Sequence, residues 1–358
     1  LKHLDGKLKA AVLVEKRGKL MKNIVLVAVV SLSALVAGTA VAQSINAAGA
    51  TFPAPIYQKW FGDYKTAHPS IQINYQAIGS GGGIKQLTEG TVDFGASDKP
   101  MSDAEIAAVK VKPLHFPTVL GGVVLVYNIP GVETGLKLSG DTIAGIYLGD
   151  IRKWNDAKLK ADNPKAALPD HDIVVVHRTD GSGTSFVFTD YLSQVSAGWK
   201  KKVGANTAVQ WPAGMGLGAK GNDGIAGTIK QQPFSIGYVE LLFAVQNKMK
   251  FADVKNSAGQ FVTASFATVT AAAAASKGLE KDFRGSVVNA PGATSYPIST
   301  YTWLLIPSHI PDAGKKKAIT EFLKWMLTDG QKDAQALSYA QLPKNVIALE
   351  LKQIAEIR

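Results

Sequence analysis

Thr118-Val119-Leu120-Gly121-Gly122-Val123-Val124-Leu125-Val126-Tyr127-Asn128 is almost continuously apolar and is closed by Pro130-Gly131. An unbroken apolar run rich in β-branched residues reads as a strand buried on both faces. It is long enough to cross between two domains. A second run, Ile298-Ser299-Thr300-Tyr301-Thr302-Trp303-Leu304-Leu305-Ile306-Pro307, offers the return crossing. If both cross, residues 123–298 form one domain, residues 43–122 and 299–358 form the other, and a cleft lies between them. Two core strands of a single large domain is the competing reading.

Upstream of the first crossing the pattern alternates. Strands are expected at Ser44–Ala48, Ile71–Tyr75 and Val92–Ala96, with helices at Pro53–Tyr64 and around Ile84–Leu87. Such alternation implies an α/β fold whose sheet is covered by helices, with ligands bound at the loops beyond the strand C-termini. Further on, Ile173–Val176 reads as a short buried strand, and Phe186, Val187, Phe188, Tyr191 and Leu192 recur at helical spacing. Ala318, Ile319, Phe322, Leu323 and Met326 form the core-facing stripe of a helix over Lys315–Leu327. The run Ala271–Ala275 is low-complexity helix or loop, and no internal repeat is found.

The N-terminal end carries a different signal. Met21-Lys22-Asn23 leads into an apolar run from Ile24 to Gly38, then the small residues Thr39-Ala40-Val41-Ala42. This is the layout of a secretory signal peptide cleaved near Ala42, with a membrane anchor as the alternative. Residues 1–20 are read as a mis-assigned start, because Met21 opens a leader of ordinary proportions. The first 42 residues carry seven of the 39 Lys/Arg and two of the 28 Asp/Glu, so the remainder has a net charge of +6. That mild excess suits an anion-handling protein but not a nucleic-acid groove, which would interleave basic runs with aromatics. Cysteine is absent, which excludes disulfides, thiolate metal sites, Cys nucleophiles and a lipid-anchored N-terminal cysteine. None of the six histidines shares a metal-ligand spacing with another, so no metal and no cofactor is expected. An exported, unanchored chain of this kind is expected in a bacterial periplasm.

Three passages repeat one chemical idea. Gly49-Ala50-Thr51-Phe52-Pro53, Gly79-Ser80-Gly81-Gly82-Gly83 and Arg178-Thr179-Asp180-Gly181-Ser182-Gly183-Thr184-Ser185 each set a hydroxyl beside glycine at an expected helix start. Free backbone N–H groups and the helix dipole favour an anion there. Ordinary helix capping explains each passage taken singly, since Ser, Thr, Asp and Gly are common caps. Taken together, three such ends from both halves of the chain can converge on one small oxyanion. Arg178 supplies a bidentate fork, and Asp180 orients it and tempers its charge. Asp98, in Gly95-Ala96-Ser97-Asp98, is the selective member. A carboxylate repels an anion unless the anion carries a proton, and phosphate at neutral pH does so while sulfate does not. The bland reading makes Asp98 a cap for a helix starting near Met101-Ser102-Asp103.

Competing chemistries fit less well. Ile78 and Asp180 stand where the first glycine of a nucleophile elbow should be, relative to Ser80 and Ser182. Gly83-Ile84-Lys85-Gln86 does not complete a phosphate-binding P-loop. Gly216–Gly224 is read as a glycine-rich surface loop that borders the cleft at most.

At Ala48–Pro55 (AGATFPAP), Val92–Asp98 (VDFGASD), Arg178–Phe186 (R-x-D-G-S-G-T-S-F) and Lys220–Ile225 (KGNDGI), the chain resembles the periplasmic phosphate-binding proteins of phosphate-specific ABC transporters. The resemblance runs from about Ile45 to Val346. It implies a two-domain periplasmic-binding-protein fold of type II-like topology, with two mixed sheets flanked by helices around a ligand cleft. It also implies a non-enzymatic monomer that closes on inorganic phosphate, presents it to the permease subunits of the transporter and has no nucleic-acid partner. Carried over residue by residue, the implied contacts are Thr51, Phe52 through its backbone, Ser80, Asp98, Arg178, Asp180, Ser182, Gly183 and Thr184. His177 and Gly81 depart from the family pattern, which often has Arg and Ser there. A binding protein for arsenate or sulfate, and an exported phosphatase, are the alternatives. Only arsenate shares phosphate's proton.

Overall fold

The computed structural model describes residues 43–212, 216–276, 279 and 281–358. The expected leader and its cleavage point near Ala42 lie outside the described residues. The first elements are β1 (Gln43–Gly49), α1 (Ala54–Ala67), β2 (Ile71–Ala77), α2 (Ser80–Glu89), β3 (Phe94–Ser97), α3 (Asp103–Ala108) and the long β4 (Pro113–Asn128). The middle of the chain adds β5 (Lys137–Leu138), α4 (Gly140–Leu148), α5 (Ala157–Asp162), β6 (Val174–Arg178), α6 (Gly183–Val195), α7 (Ala197–Lys202), β7 (Leu217–Ala219) and α8 (Gly221–Gln231). It continues through β8 (Ser235–Glu240), α9 (Leu241–Gln246), β9 (Lys250–Phe251), β10 (Asp253–Lys255), β11 (Phe261–Val262) and α10 (Phe266–Ala275). Then β12 (Ser299–Pro307), α11 (Ala313–Thr328) and α12 (Lys344–Gln353) return to the first part.

The main sheet has the order β2-β1-β3-β12-β4-β8-β6-β7, with β9 paired to β4 off this path; β5, β10 and β11 make a small second sheet. Strand β4 does the joining. Its first part, Pro113–Gly122, pairs antiparallel with β12, and its second part, Val123–Asn128, pairs antiparallel with β8. The change of partner falls at the glycines. A Cβ on Gly121 would stand 2.6 Å from the Phe52 ring, and one on Gly122 would stand 3.3 Å from the Tyr296 ring. Gly121 is therefore the room that Phe52 occupies, which ties the loop after β1 to the strand shared by both halves. Residues 43–358 form one compact unit of contacts, and the shared strand is the physical reason.

Where the expected elements differ, the backbone supplies the cause. Pro53 stands at the cap of α1 rather than at its first helical position. Asp98 caps nothing at α3. Ser102 and Glu105 form a reciprocal capping box there, so the two orphan donors at that helix start are already satisfied. The Ala271–Ala275 run is the last turn and a half of α10, whose start is boxed by Ser265 and Thr268. Gly216–Gly224 is not a surface loop: it contains β7, which pairs with β6, and the first turn of α8. Backbone pairing, invisible in a glycine-rich composition, orders it. In α11 the expected stripe is buried as read, and Phe322 packs 5.3 Å from both Phe61 and Tyr64 between ring centroids.

Candidate oxyanion site

Strands β1 and β3 run parallel while β6 runs opposite to both, and the C-terminal ends of the three meet, each delivering a polar loop. The first ends in Gly49, where a Cβ would lie 2.0 Å from the Ala96 carbonyl oxygen, so only glycine lets β1 and β3 run this close. The loop beyond it presents Thr51 and Phe52 at the start of α1. Neither α1 nor α2 has a side-chain cap bond; the Ala54 N–H turns to the Thr51 carbonyl and the Gly81 N–H to the Gly181 carbonyl, and the remaining first-turn N–H groups are left for another acceptor. At α6, Ser182 does cap: its Oγ accepts from the Ser185 N–H at 3.0 Å. Capping uses the hydroxyl only as an acceptor, so its proton remains free to be donated. The capping and anion-binding readings of Ser182 are compatible.

Arg178 is the centre of the constellation and is 3% exposed. Its Nε donates to Asp180 Oδ1 at 2.7 Å and its Nη2 to Asp180 Oδ2 at 2.5 Å, a fork-to-fork pair. The same Nη2 reaches Thr51 Oγ1 at 3.3 Å, and Nη1 reaches Thr184 Oγ1 at 3.4 Å. Burial works against ionising Asp180, but the Arg178 hydrogen bonds and charge, with the Gly221 N–H, outweigh it and hold its carboxyl below the usual range. Asp180 therefore stays charged and fixes the guanidinium plane.

Asp98 has the opposite electrostatics. It is 1% exposed, accepts from Thr302 Oγ1 at 2.8 Å, and its Oδ2 lies 3.4 Å from Ser80 Oγ. Burial pushes its carboxyl up to about 7, although the Thr302 bond, the Arg178 charge and Ser80 all act against that rise. Its backbone N–H donates to Ser80 Oγ at 3.0 Å, which ties the start of α2 to the end of β3. A carboxyl poised near neutrality, in a place without water access, is suited to sharing a proton with a ligand.

The two sides meet closely. The Gly81 N–H donates to the Gly181 carbonyl at 2.8 Å. A Cβ on Gly81 would lie 3.0 Å from Gly181 Cα, and one on Gly79 would lie 2.6 Å from Asp180 Oδ2. The Gly81 departure is thus accommodated by direct backbone contact. His177, the other departure, stacks on Trp211 with ring centroids 4.9 Å apart and points a ring nitrogen toward its neighbour's carbonyl, the Arg178 oxygen, at 3.3 Å.

All nine expected residues fall in one place. Thr51, Phe52, Ser80, Asp98, Arg178, Ser182, Gly183 and Thr184 are buried, and Asp180 is partly so. Two further participants were not singled out from sequence. Thr302 holds Asp98 from β12; it is the last of four hydroxyl-bearing residues, Ser299 to Thr302, that open the strand, and nothing in the sequence separates it from the other three. Asn222, wholly buried at the start of α8, donates to Thr51 Oγ1 at 2.9 Å and Thr184 Oγ1 at 3.4 Å. Its signal was the KGNDGI stretch, obscured by the glycines around it. Chemically, the set offers a guanidinium, hydroxyls and helix-start N–H groups to one oxyanion and a carboxyl to that ion's proton. Among the described residues, no three His, Asp or Glu side chains gather as a metal site. Among the same residues, no helix is long and apolar enough to cross a membrane.

The comparisons agree with this chemistry. A family model described as a PBP superfamily domain matches residues 36–330. A phosphate-binding protein PstS of Xylella fastidiosa strain Temecula1 is 47% identical over 305 residues, covering 85% of this chain and 82% of that relative. The phosphate-binding protein PstS of Pasteurella multocida strain Pm70 is 44% identical over 311 residues, covering 86% and 89%. Among solved structures, a phosphate binding protein from Stenotrophomonas maltophilia shares the fold with a TM-score of 0.67 at 19% identity, covering 87% of this chain and 94% of that one. By the extent of the family match and the identity to these relatives, the chain belongs to the phosphate-binding protein PstS family of the PBP superfamily.

Proposed function

We propose that this chain captures inorganic phosphate in the periplasm and presents it to the permease subunits of an ABC transporter, as a monomer and without chemical conversion. The observation that carries the reading is the burial, in one site, of Arg178 paired with Asp180 and of a second carboxyl, Asp98, held up near 7. Arg178, Thr51, Ser80, Ser182 and Thr184, with the N–H groups of Phe52 and Gly183, hold the ion. Asp98 accepts its proton, and Asp180 sets the guanidinium plane. Several charge-assisted hydrogen bonds at roughly 1.5–3 kcal/mol each offset the dehydration of the ion.

Residues 43–122 and 299–358 make one domain and 123–298 the other, in this proposal. The change of strand partner along β4 and the cross-contacts of Gly81 with Gly181 support it. Closure of the two on the ligand gives the permease a shape to distinguish from the open form. Export through the leader in residues 1–42 places the protein in the periplasm.

A competition titration of phosphate against sulfate and arsenate over a pH series tests the ligand. Phosphate and arsenate binding with sulfate excluded at pH 8 is the expected result, and equal binding of sulfate there rejects it. Closure has its own test at Gly183, where a Cβ would stand 2.3 Å from Ser80 Oγ and 2.6 Å from Asp98 Oδ2. Gly183→Ala is expected to cost at least ~10-fold in phosphate affinity by calorimetry. Its ligand-free melting temperature should not fall, because alanine is the better helix former by roughly 0.5–1 kcal/mol.

A further inference from the structure

We infer that Asn222 is a positioning residue that makes two threonine hydroxyls obligatory donors to the bound anion. A hydroxyl has one proton to donate and two lone pairs that accept. Thr51 Oγ1 accepts from Arg178 Nη2 at 3.3 Å and from Asn222 Nδ2 at 2.9 Å. Thr184 Oγ1 accepts from Arg178 Nη1 at 3.4 Å and from the same Asn222 Nδ2 at 3.4 Å. Both lone pairs of both oxygens are therefore engaged by N–H donors. Each remaining O–H proton must point away from Arg178 and Asn222, and among the described residues neither has a protein acceptor.

The orientation of the amide is itself determined. Asn222 Oδ1 accepts the Glu240 backbone N–H at 3.0 Å, so the NH₂ group has to face the two threonines. Turning the amide over would leave that buried N–H without a partner and set oxygen against oxygen. Asn222 has no exposed surface, so water does not substitute for either contact. Its two amide protons match the two hydroxyls in number. A hydroxyl free to rotate accepts from an incoming ion's proton or donates to its oxygen; one whose lone pairs are filled can only donate. This reserves Asp98 as the acceptor for the ligand's proton and gives a fully deprotonated oxygen surface to the threonine side. The effect is preorganisation, since the donors are aimed before the ion arrives.

The inference rests on phosphate being the ligand, and the parent protein decides that point separately. If the parent fails to bind inorganic phosphate by calorimetry, the functional reading fails, and the cycle below is then run with arsenate and sulfate as probes. Given binding, Asn222→Ala is expected to weaken phosphate affinity by ~10- to 100-fold. In a Thr51→Val, Thr184→Val background, with affinities read by displacement of labelled phosphate, the same Asn222→Ala change is expected to cost less than ~3-fold. An equal loss in both backgrounds would mean that Asn222 merely holds the fold through Glu240, and would overturn the inference. Should Asn222→Ala fail to fold by circular dichroism, Asn222→Asp enters the same cycle. It keeps the Oδ1 acceptor for the Glu240 N–H but loses the donors, so the same non-additivity is expected and additivity again overturns the inference.

Discussion

Arg178→Met is expected to weaken phosphate binding by at least ~10³-fold and to destabilise the ligand-free protein. Arg178 keeps one N–H for the ion once Asp180, Thr51 and Thr184 are served, a charge-assisted bond of roughly 1.5–3 kcal/mol; its loss also releases the two threonine hydroxyls it orients, at about 1 kcal/mol each, and tenfold in affinity is about 1.4 kcal/mol. The stability loss has a separate origin. Asp180 is held ionised chiefly by the guanidinium, which donates to both its oxygens, and without it a mostly buried carboxylate is left with the Gly221 N–H alone. Breaking one side of such a pair typically costs about 3–5 kcal/mol. Arg178→Lys separates fork geometry from charge. It restores a positive charge but offers a single ammonium to Asp180, Thr51, Thr184 and the ligand, so affinity should remain at least ~10²-fold below the parent. Calorimetric titration with ligand-free thermal denaturation reads both effects; a lysine variant within tenfold of the parent would show that charge alone suffices.

Asp98→Asn should change which ion binds more than how tightly phosphate binds. In the parent, Asp98 with its carboxyl near 7 is largely ionised at pH 8 and accepts the phosphate proton, while sulfate brings none. As pH falls through about 7 the carboxyl becomes a donor, and the penalty against sulfate should shrink. The parent's preference for phosphate over sulfate is therefore expected to rise between pH 5 and 8, and Asp98→Asn should show a low, flat preference across that range. A steep rise retained by the variant would place selectivity elsewhere.

The same group shapes stability. Its folded value is raised from 3.8 to about 7 with the two sides in contact, so the closed form binds an extra proton between those limits. Stability contributed by this group is fully present below about 4 and is lost as pH rises through about 7, a change on the order of 4 kcal/mol. His115 acts oppositely between about 4 and 6.5: burial, then the Arg284 charge, pushes it down to about 4, and its Nε2 accepts the Met101 N–H. The difference between the parent and Asp98→Asn denaturation curves isolates the Asp98 contribution.

Much of this protein is legible from residue patterns because local rules act there. The β1-α1-β2-α2-β3 alternation, the α11 stripe and the three helix starts depend on spacing and on glycine or hydroxyl chemistry within a few residues. What the sequence left open or passed over shares a cause. Asp98 has no sequence feature that separates a helix cap from a ligand group until Ser102 and Glu105 are seen to cap α3 themselves. Gly216–Gly224 reads as a loop because its order comes from pairing with β6, some 40 residues away in the chain. Asn222 was passed over because asparagine among glycines is an ordinary turn, and only its burial against Thr51 and Thr184 marks it.

Sequence by itself determined the type of fold and the kind of ligand. Apolar periodicity dictates strands and helices, and Arg178, the hydroxyls and the glycines at three helix starts point together to an oxyanion. The tertiary structure decided what the site does with a proton. Asp98 is an ordinary carboxyl in the chain and is poised near 7 only because Ser80, Thr302 of β12 and Gly183 at the start of α6 close around it. Local composition cannot encode that desolvation, since it arises from segments up to two hundred residues apart packing around one side chain.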